Sequence, residues 1–168
     1  MTASHAAPDD ADTAVDGSDD LTVRTGPLSF AIFALARAHR GFAGALLRDL
    51  GLHPGQELLL MQLMERDGQT QSELLASAGL DHSTVSKAVS RMQDAGLLRR
   101  EAAAHDRRVQ QVFLTDRGRA MREPLEAMWA RLEQVSTQFL EPEQIGAFVT
   151  LARTIEQSLR NDGNDTTR

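Results

Sequence analysis

Between positions 79 and 118 the chain places a glycine turn, a short polar helix, two strand-like runs and a new helix start within forty residues. That punctuation limits what can form there. Asp81 is suited to cap a helix from His82 to about Ala95, and Val85, Ala88, Val89 and Met92 recur at helical spacing along one side of it. Gly96 ends that helix. Leu97 to Glu101 and Val109 to Leu114 then read as two strands joined through residues 102–108, and Thr115 can cap the helix that follows, with Asp116 in its first turn.

The polar side of the helix at 82–95 is unusual for a merely solvated surface. At 100° per residue, Ser83, Lys87, Ser90 and Asp94 lie opposite the apolar stripe, with Ser86 and Arg91 flanking them. Small hydroxyls and cations in place of Glu/Lys pairs let this surface approach another molecule closely; the alternative is an ordinary polar face with capping residues. The hairpin tip is basic. Arg107 and Arg108 stand there beside Asp106, which can orient a guanidinium; a charged edge that blocks aggregation is the other reading.

Charge distribution supports an anionic partner. The net charge of −6 argues against nucleic acid when taken whole, yet residues 1–26 hold six aspartates against Arg24 alone. Residues 82–119 hold eight bases (Lys87, Arg91, Arg99, Arg100, Arg107, Arg108, Arg117, Arg119) against four acids. The acidic segment 1–26 has almost no large apolar side chain and is expected to be disordered. Cysteine is absent, which excludes disulfides and thiolate metal sites. The longest uncharged stretch, Thr25 to Ala36, falls short of the roughly 18 residues of a membrane span, and no secretion signal is recognisable, so a cytoplasmic protein without a membrane partner is expected.

On either side of this stretch lie long helices. Leu28, Ile32, Leu35, His39, Phe42 and Leu46 follow a coiled-coil-like 4,3,4,3,4 spacing, and a second stripe of Phe33, Ala36, Arg40, Ala43, Leu47 and Leu50 widens the apolar surface until Gly51. Pro54 suits the first turn of the next helix, whose buried face is assigned to Leu58, Leu59, Met61, Leu63 and Met64. Thr70-Gln71-Ser72-Glu73 has the form of a capping box before a short helix with Leu74, Leu75 and Ala78 inward. After Thr115, Met121, Leu125, Met128, Leu132, Val135 and Phe139 repeat the seam, with a bend expected near Arg122 because of Pro124. A last helix begins at Glu141-Pro142 and carries Ile145, Phe148, Ala152, Ile155 and Leu159 before the chain frays from Asn161.

Two short helices followed by a basic hairpin give the plan of a winged helix-turn-helix, mainly α with a small β-hairpin wing (α+β). A major groove admits one helix, and phosphates are held by hydroxyls, N–H groups and basic side chains. Candidate DNA contacts are therefore Ser83, Thr84, Ser86, Lys87, Ser90 and Arg91, with Thr70, Gln71 and Ser72 at the start of the preceding helix and Asp106, Arg107 and Arg108 in the wing.

The run Asp106-Arg107-Arg108-Val109-Gln110-Gln111-Val112-Phe113-Leu114-Thr115-Asp116-Arg117-Gly118 matches the D-x-R-x-x-x-V-x-L-T-x-x-G signature of the multiple-antibiotic-resistance-regulator (MarR) family. Ser72-Glu73-Leu74-Leu75, Ser83-Thr84-Val85-Ser86 and Ala95-Gly96-Leu97-Leu98-Arg99-Arg100 resemble its helix-turn-helix and strand-start pattern, so the resemblance covers about residues 28–160. It implies a homodimeric repressor on a pseudo-palindromic operator, with Asp106 positioning the wing and Arg108 entering the minor groove. It also implies a small, aromatic or anionic effector. His39 and Arg40, the strongly polar members of the first helix's stripes, are candidates to meet it; an interface histidine and a snorkelling arginine are the alternative. The wing's Ala102-Ala103-Ala104 and Met92 depart from the family pattern.

The expected organisation is a tail at 1–26, a first dimerisation helix at 27–53, the DNA-binding domain at 54–116, C-terminal dimerisation helices at 117–160 and a frayed end at 161–168. An enzyme is not expected, since no phosphate loop, zinc-type histidine pair or cysteine nucleophile is present, and no cofactor is expected either. The remaining alternative is a winged-helix protein–protein adaptor without DNA contact.

Overall fold

The computed structural model describes residues 25–78, 81–103 and 108–165. The chain divides into two compact units between Arg40 and Gly41, within one helix. In the first, α1 (Pro27–Asp49) runs as far as Arg40 with Leu28, Phe33 and Leu35 each more than half exposed. By length and composition alone α1 is apolar enough to cross a membrane, a test that the helices of soluble proteins also pass. Counting only uninterrupted uncharged residues misses this, because Arg37 and Arg40 interrupt the run without lowering its mean hydropathy enough.

The second unit contains the remainder of α1, then α2 (Gln56–Glu65), β1 (Gln69–Thr70), α3 (Gln71–Ala78), α4 (His82–Asp94), β2 (Leu98–Ala102), β3 (Gln110–Leu114), α5 (Asp116–Arg119), α6 (Arg122–Thr137) and α7 (Pro142–Asp165). Leu47, Leu59, Leu60, Leu63, Leu74, Val89, Met92, Val112 and Leu125 pack its core with 2 % exposure or less. Every one of these elements except α7 contributes a buried side chain or packs directly on those that do. At roughly 25 cal/mol per Å² of apolar surface removed from water, this cluster is the main stabilising term.

Several elements depart from the sequence expectation. The second helix starts at Gln56, not at Pro54, because Gly55 adopts a left-handed conformation (φ 92°) that bars the helix from running through it. The Gln56 and Glu57 side chains close the turn by accepting from the N–H groups of His53 (2.8 Å) and Gly55 (2.7 Å), and both become buried. Burial pushes the Glu57 carboxyl up despite those hydrogen bonds. On this helix Leu60 is fully buried and Met61 is 37 % exposed, the reverse of the assignment made from spacing.

The sheet has three strands, not two. β1 pairs antiparallel with β3 through Gln69–Val112 and Thr70–Gln111, giving the order β1-β3-β2. β2 pairs with β3 from Leu98–Leu114 to Ala102–Gln110. A two-residue strand leaves no periodicity to read.

The expected bend near Arg122 is present as a full break. α5 stops at Arg119 and α6 restarts at Arg122, which places Pro124 in a first turn, where its missing N–H costs nothing. α7 continues to Asp165, past the Asn161 at which fraying is expected.

One joint holds β2, β3 and α5 together. Thr115 accepts from the Gly118 N–H (3.0 Å), donates its hydroxyl to the Gly96 carbonyl (2.7 Å), and its own N–H reaches the Leu97 carbonyl (3.0 Å). Gly118 lies so close to Leu97 that an added Cβ would stand 2.1 Å from its carbonyl oxygen. Gly118→Ala is therefore expected to lower stability by about 1–3 kcal/mol through forced backbone displacement. Thr115→Ala should cost about 1–2 kcal/mol through the lost cap. Chemical denaturation of both variants checks the order.

Candidate nucleic-acid interface

α4 is the centre of the site. Its N-cap, Asp81, accepts from the Thr84 N–H (2.9 Å) and from both the Ser83 (2.7 Å) and Thr84 (2.5 Å) hydroxyls. These three donors hold the Asp81 carboxyl far below the ordinary carboxylate range, so it stays charged. Val85, Val89 and Met92 are buried, whereas Ser83, Lys87, Ser90, Arg91 and Asp94 are exposed and Thr84 and Ser86 are half-buried. The hydroxyl-and-cation surface expected from spacing is thus a contiguous solvent-facing side of α4. Among the described residues Lys87 and Arg91 make no ion pair.

α3 meets α4 at its side and is fixed by the capping box. The Thr70 N–H donates to Glu73 Oε2 (2.8 Å), the Thr70 hydroxyl donates to the same oxygen (2.8 Å), and the Glu73 N–H donates to Thr70 Oγ1 (3.2 Å). These bonds, with the Arg66 guanidinium 3.0 Å away, hold the Glu73 carboxyl below its ordinary range. Thr70 therefore serves the cap, while Gln71 is half-buried and Ser72 exposed at the helix start. Arg66 also donates to Gln69 Oε1 (3.1 Å), and together these side chains line an open depression of about 420 Å³ beside α3.

The basic island of the sequence divides on folding. Arg99 pairs with Glu101 and lies over the Phe113 ring, 4.7 Å from its centroid. Arg117 donates to the Ala95 carbonyl (2.9 Å) at the end of α4, and Arg119 pairs with Asp67 (2.9 Å). Those three arginines are structural. Arg100 and Arg108 are exposed on the wing; Asp106 and Arg107 lie outside the described residues, as does the turn at 79–80. His39 and Arg40 are exposed on α1.

Sequence reasoning gave no role to Asp67. Its carboxylate accepts from the Leu114 N–H (2.9 Å) and the Gly68 N–H (3.1 Å) while pairing with Arg119, so it fastens the turn after α2 to β3 and α5. Beside it Gly68, at φ 72°, leaves no room for a side chain, since a Cβ would lie 2.6 Å from the Phe113 ring. The Asp67-Gly68 pair was a visible signal, but its partner is 47 residues away.

A polar helix presented beside a helix pair and backed by a three-stranded antiparallel wing defines a winged helix-turn-helix protein. A sequence model of the MarR family matches residues 50–109. The HTH-type transcriptional regulator TtmR of Methylorubrum extorquens is 30 % identical over 112 residues, which is 67 % of this chain and 57 % of TtmR. The chain thus spans little more than half the length of that relative. Among solved structures, the PcaV transcriptional regulator from Streptomyces coelicolor, in complex with its natural ligand, is 27 % identical with a TM-score of 0.71, covering 82 % of this chain and 96 % of that one. A mutant MarR from E. coli complexed with operator DNA shares the fold at 21 % identity, with a TM-score of 0.72 and coverage of 81 % and 98 %. In sequence over residues 50–109 and in fold, the chain is similar to the MarR family of winged-helix transcriptional regulators.

Because the Asp81 carboxyl is lowered in the fold, the stability it contributes is present above its unfolded pKa, near 3.8, and is lost as pH falls below that value. Asp81→Asn, which keeps a capping oxygen but does not titrate, should lose less stability than the parent between pH 5 and pH 3. Thermal unfolding across that range checks it.

Proposed function

We propose that the chain is a homodimeric, effector-responsive repressor that binds a pseudo-palindromic operator, with α4 in the major groove and the β2–β3 wing against the minor groove. The observation that carries this reading is the exposed Ser83–Lys87–Ser90–Arg91 surface of α4, set opposite a fully buried stripe. Such a helix can enter a groove about 12 Å wide with only short side chains and two cations between backbone and DNA. Lys87, Arg91 and Arg108 supply phosphate or minor-groove charge, with Ser72, Gln71, Ser86 and Ser90 as short polar contacts. Asp106 and Arg107 belong to the same proposed wing surface.

The hydrogen bonding sharpens the roles. With their protons given to Asp81, the Ser83 and Thr84 oxygens are left to accept. Exocyclic amines of adenine or cytosine suit them better than phosphate does.

Dimerisation is supported by unpartnered apolar surface. Leu28, Phe33 and Leu35 of α1, and separately Phe148, Leu151 and Leu159 of α7, are each more than half exposed. Helices with that much exposed apolar surface call for a second copy. The domain roles follow: 27–53 and 117–160 dimerise, and 54–116 reads DNA, in the cytoplasm. A small aromatic or anionic effector meeting His39 and Arg40 completes the proposal. Its support is the fold shared with PcaV, a regulator solved with its natural ligand. The effector would act by coupling its site to the separation of the two reading helices.

A gel shift on DNA from upstream of the protein's own gene tests the reading directly, and an adaptor without DNA contact would give none. Footprinting should protect two half-sites about 34–36 Å apart. Lys87→Ala and Arg108→Ala should each weaken binding and lower the salt slope by about 1 if each neutralises one phosphate charge. Unchanged affinity and slope in both variants would reject the groove assignment.

A further inference from the structure

The contact between α2 and α6 contains a chemical group that the DNA-binding reading does not use. Trp129, on α6, donates its indole N–H to the Met61 sulfur on α2 at 3.1 Å. The two side chains border a small pocket of about 100 Å³ with Met64, Arg122, Leu125 and Glu126. Arg122 secures the same junction by donating to the Met64 carbonyl at 3.1 Å. Met61 is the one methionine among the described residues that is exposed by more than a third. Met92 and Met128 are buried, and Met64 and Met121 are half-buried against the core. The chain contains no cysteine, so thioether sulfur is its only sulfur open to oxidation.

We propose that Met61 is an oxidation site for small hydroperoxides and that its oxidation state is transmitted to α6 through Trp129. The reaction is a two-electron oxygen transfer. The thioether sulfur attacks the peroxide, the O–O bond breaks, a sulfur–oxygen bond forms, and the peroxide leaves as water or alcohol after proton transfer. Sulfur is oxidised, the hydroperoxide is reduced, and the product is methionine sulfoxide, which cellular reductases return to the thioether.

Three physical features favour this site. The pocket beside Met61 exceeds the roughly 30 Å³ that a water molecule occupies, so a hydroperoxide has room to approach. The indole N–H is already directed at the sulfur, placing a donor beside the oxygen that would be added. The sulfoxide is polar and larger than the thioether it replaces, and Leu125 and Met64 stand beside it. Oxidation therefore inserts an oxygen between sulfur and indole N–H, and the α2–α6 junction shifts to make room for it. Since α2 packs under α3 and α4, the shift reaches the reading helix. This last consequence rests on the proposed DNA binding.

Trp129 is the only tryptophan and the chain has no tyrosine, so indole fluorescence reports this contact alone. The full-length protein would be treated with hydrogen peroxide and followed by fluorescence, by peptide mass and by gel shift, beside Met61→Leu, which keeps an apolar side chain of similar volume. The expected result is one added oxygen, located on Met61 by fragmentation of the peptide it shares with Met64, before Met64, Met92, Met121 or Met128 reacts, with a matching change in Trp129 emission. A roughly two- to tenfold loss of DNA affinity should follow, the range lost with a sulfur–aromatic contact. Methionine sulfoxide reductase should reverse all three. Met61→Leu should bind DNA like the parent and show none of these responses. Faster oxidation of Met64 or Met121, or unchanged emission once Met61 is oxidised, overturns the site. Unchanged DNA affinity of the oxidised protein overturns the transmission, whereas failure of untreated protein to bind DNA indicts the functional reading instead.

Discussion

The close approach of Gly118 to the Leu97 carbonyl is the constraint on which the arrangement of α4, the wing and α5 depends. Leu97 follows α4 and leads into the wing, and Gly118 lies in α5, the first turn of the path toward α6. Thr115 closes the gap with bonds to Gly96, Leu97 and Gly118. Asp67 ties the opposite side of β3 to the turn after α2. The end of α4, the base of the wing and the start of α5 therefore behave as one piece. A displacement of α6 has a short covalent route through α5 to the wing and the end of α4.

The wing and α4 show why charge counts overstate an interface. Three arginines within the basic segment are used to build it: Arg99 over Phe113, Arg117 on the end of α4, and Arg119 on Asp67. Their charge still contributes to the local potential, but their guanidinium groups are already held. Lys87, Arg91 and Arg100 remain exposed without an ion pair among the described residues, and these define where an anionic partner would sit.

Much of the site was legible because its determinants are local. The Thr70–Glu73 box and the caps at Asp81 and Thr115 each span three residues, and all three form as expected. The stripe of α4 is as readable, since Val85, Val89 and Met92 must face one way on any helix. Less legible were the α2 start at Gln56 and the exposure of Met61, which depend on a left-handed Gly55 and on where the core lies. The third strand was invisible because two residues carry no period and gain their pairing only from β3.

By itself, the sequence determined the order of helices, the break near Pro124, the polar side of α4 and the family signature from Asp106 to Gly118. These follow from nearest-neighbour spacing, capping and the fixed geometry of proline and glycine, all of which act within a few residues. Only the tertiary structure decided which arginines are spent on the fold, that Asp67 fastens the wing, and that Met61 meets Trp129 across 68 residues. Those outcomes depend on which distant segments share the core. Burial and three-dimensional proximity are properties of the packed chain, and no local spacing encodes them.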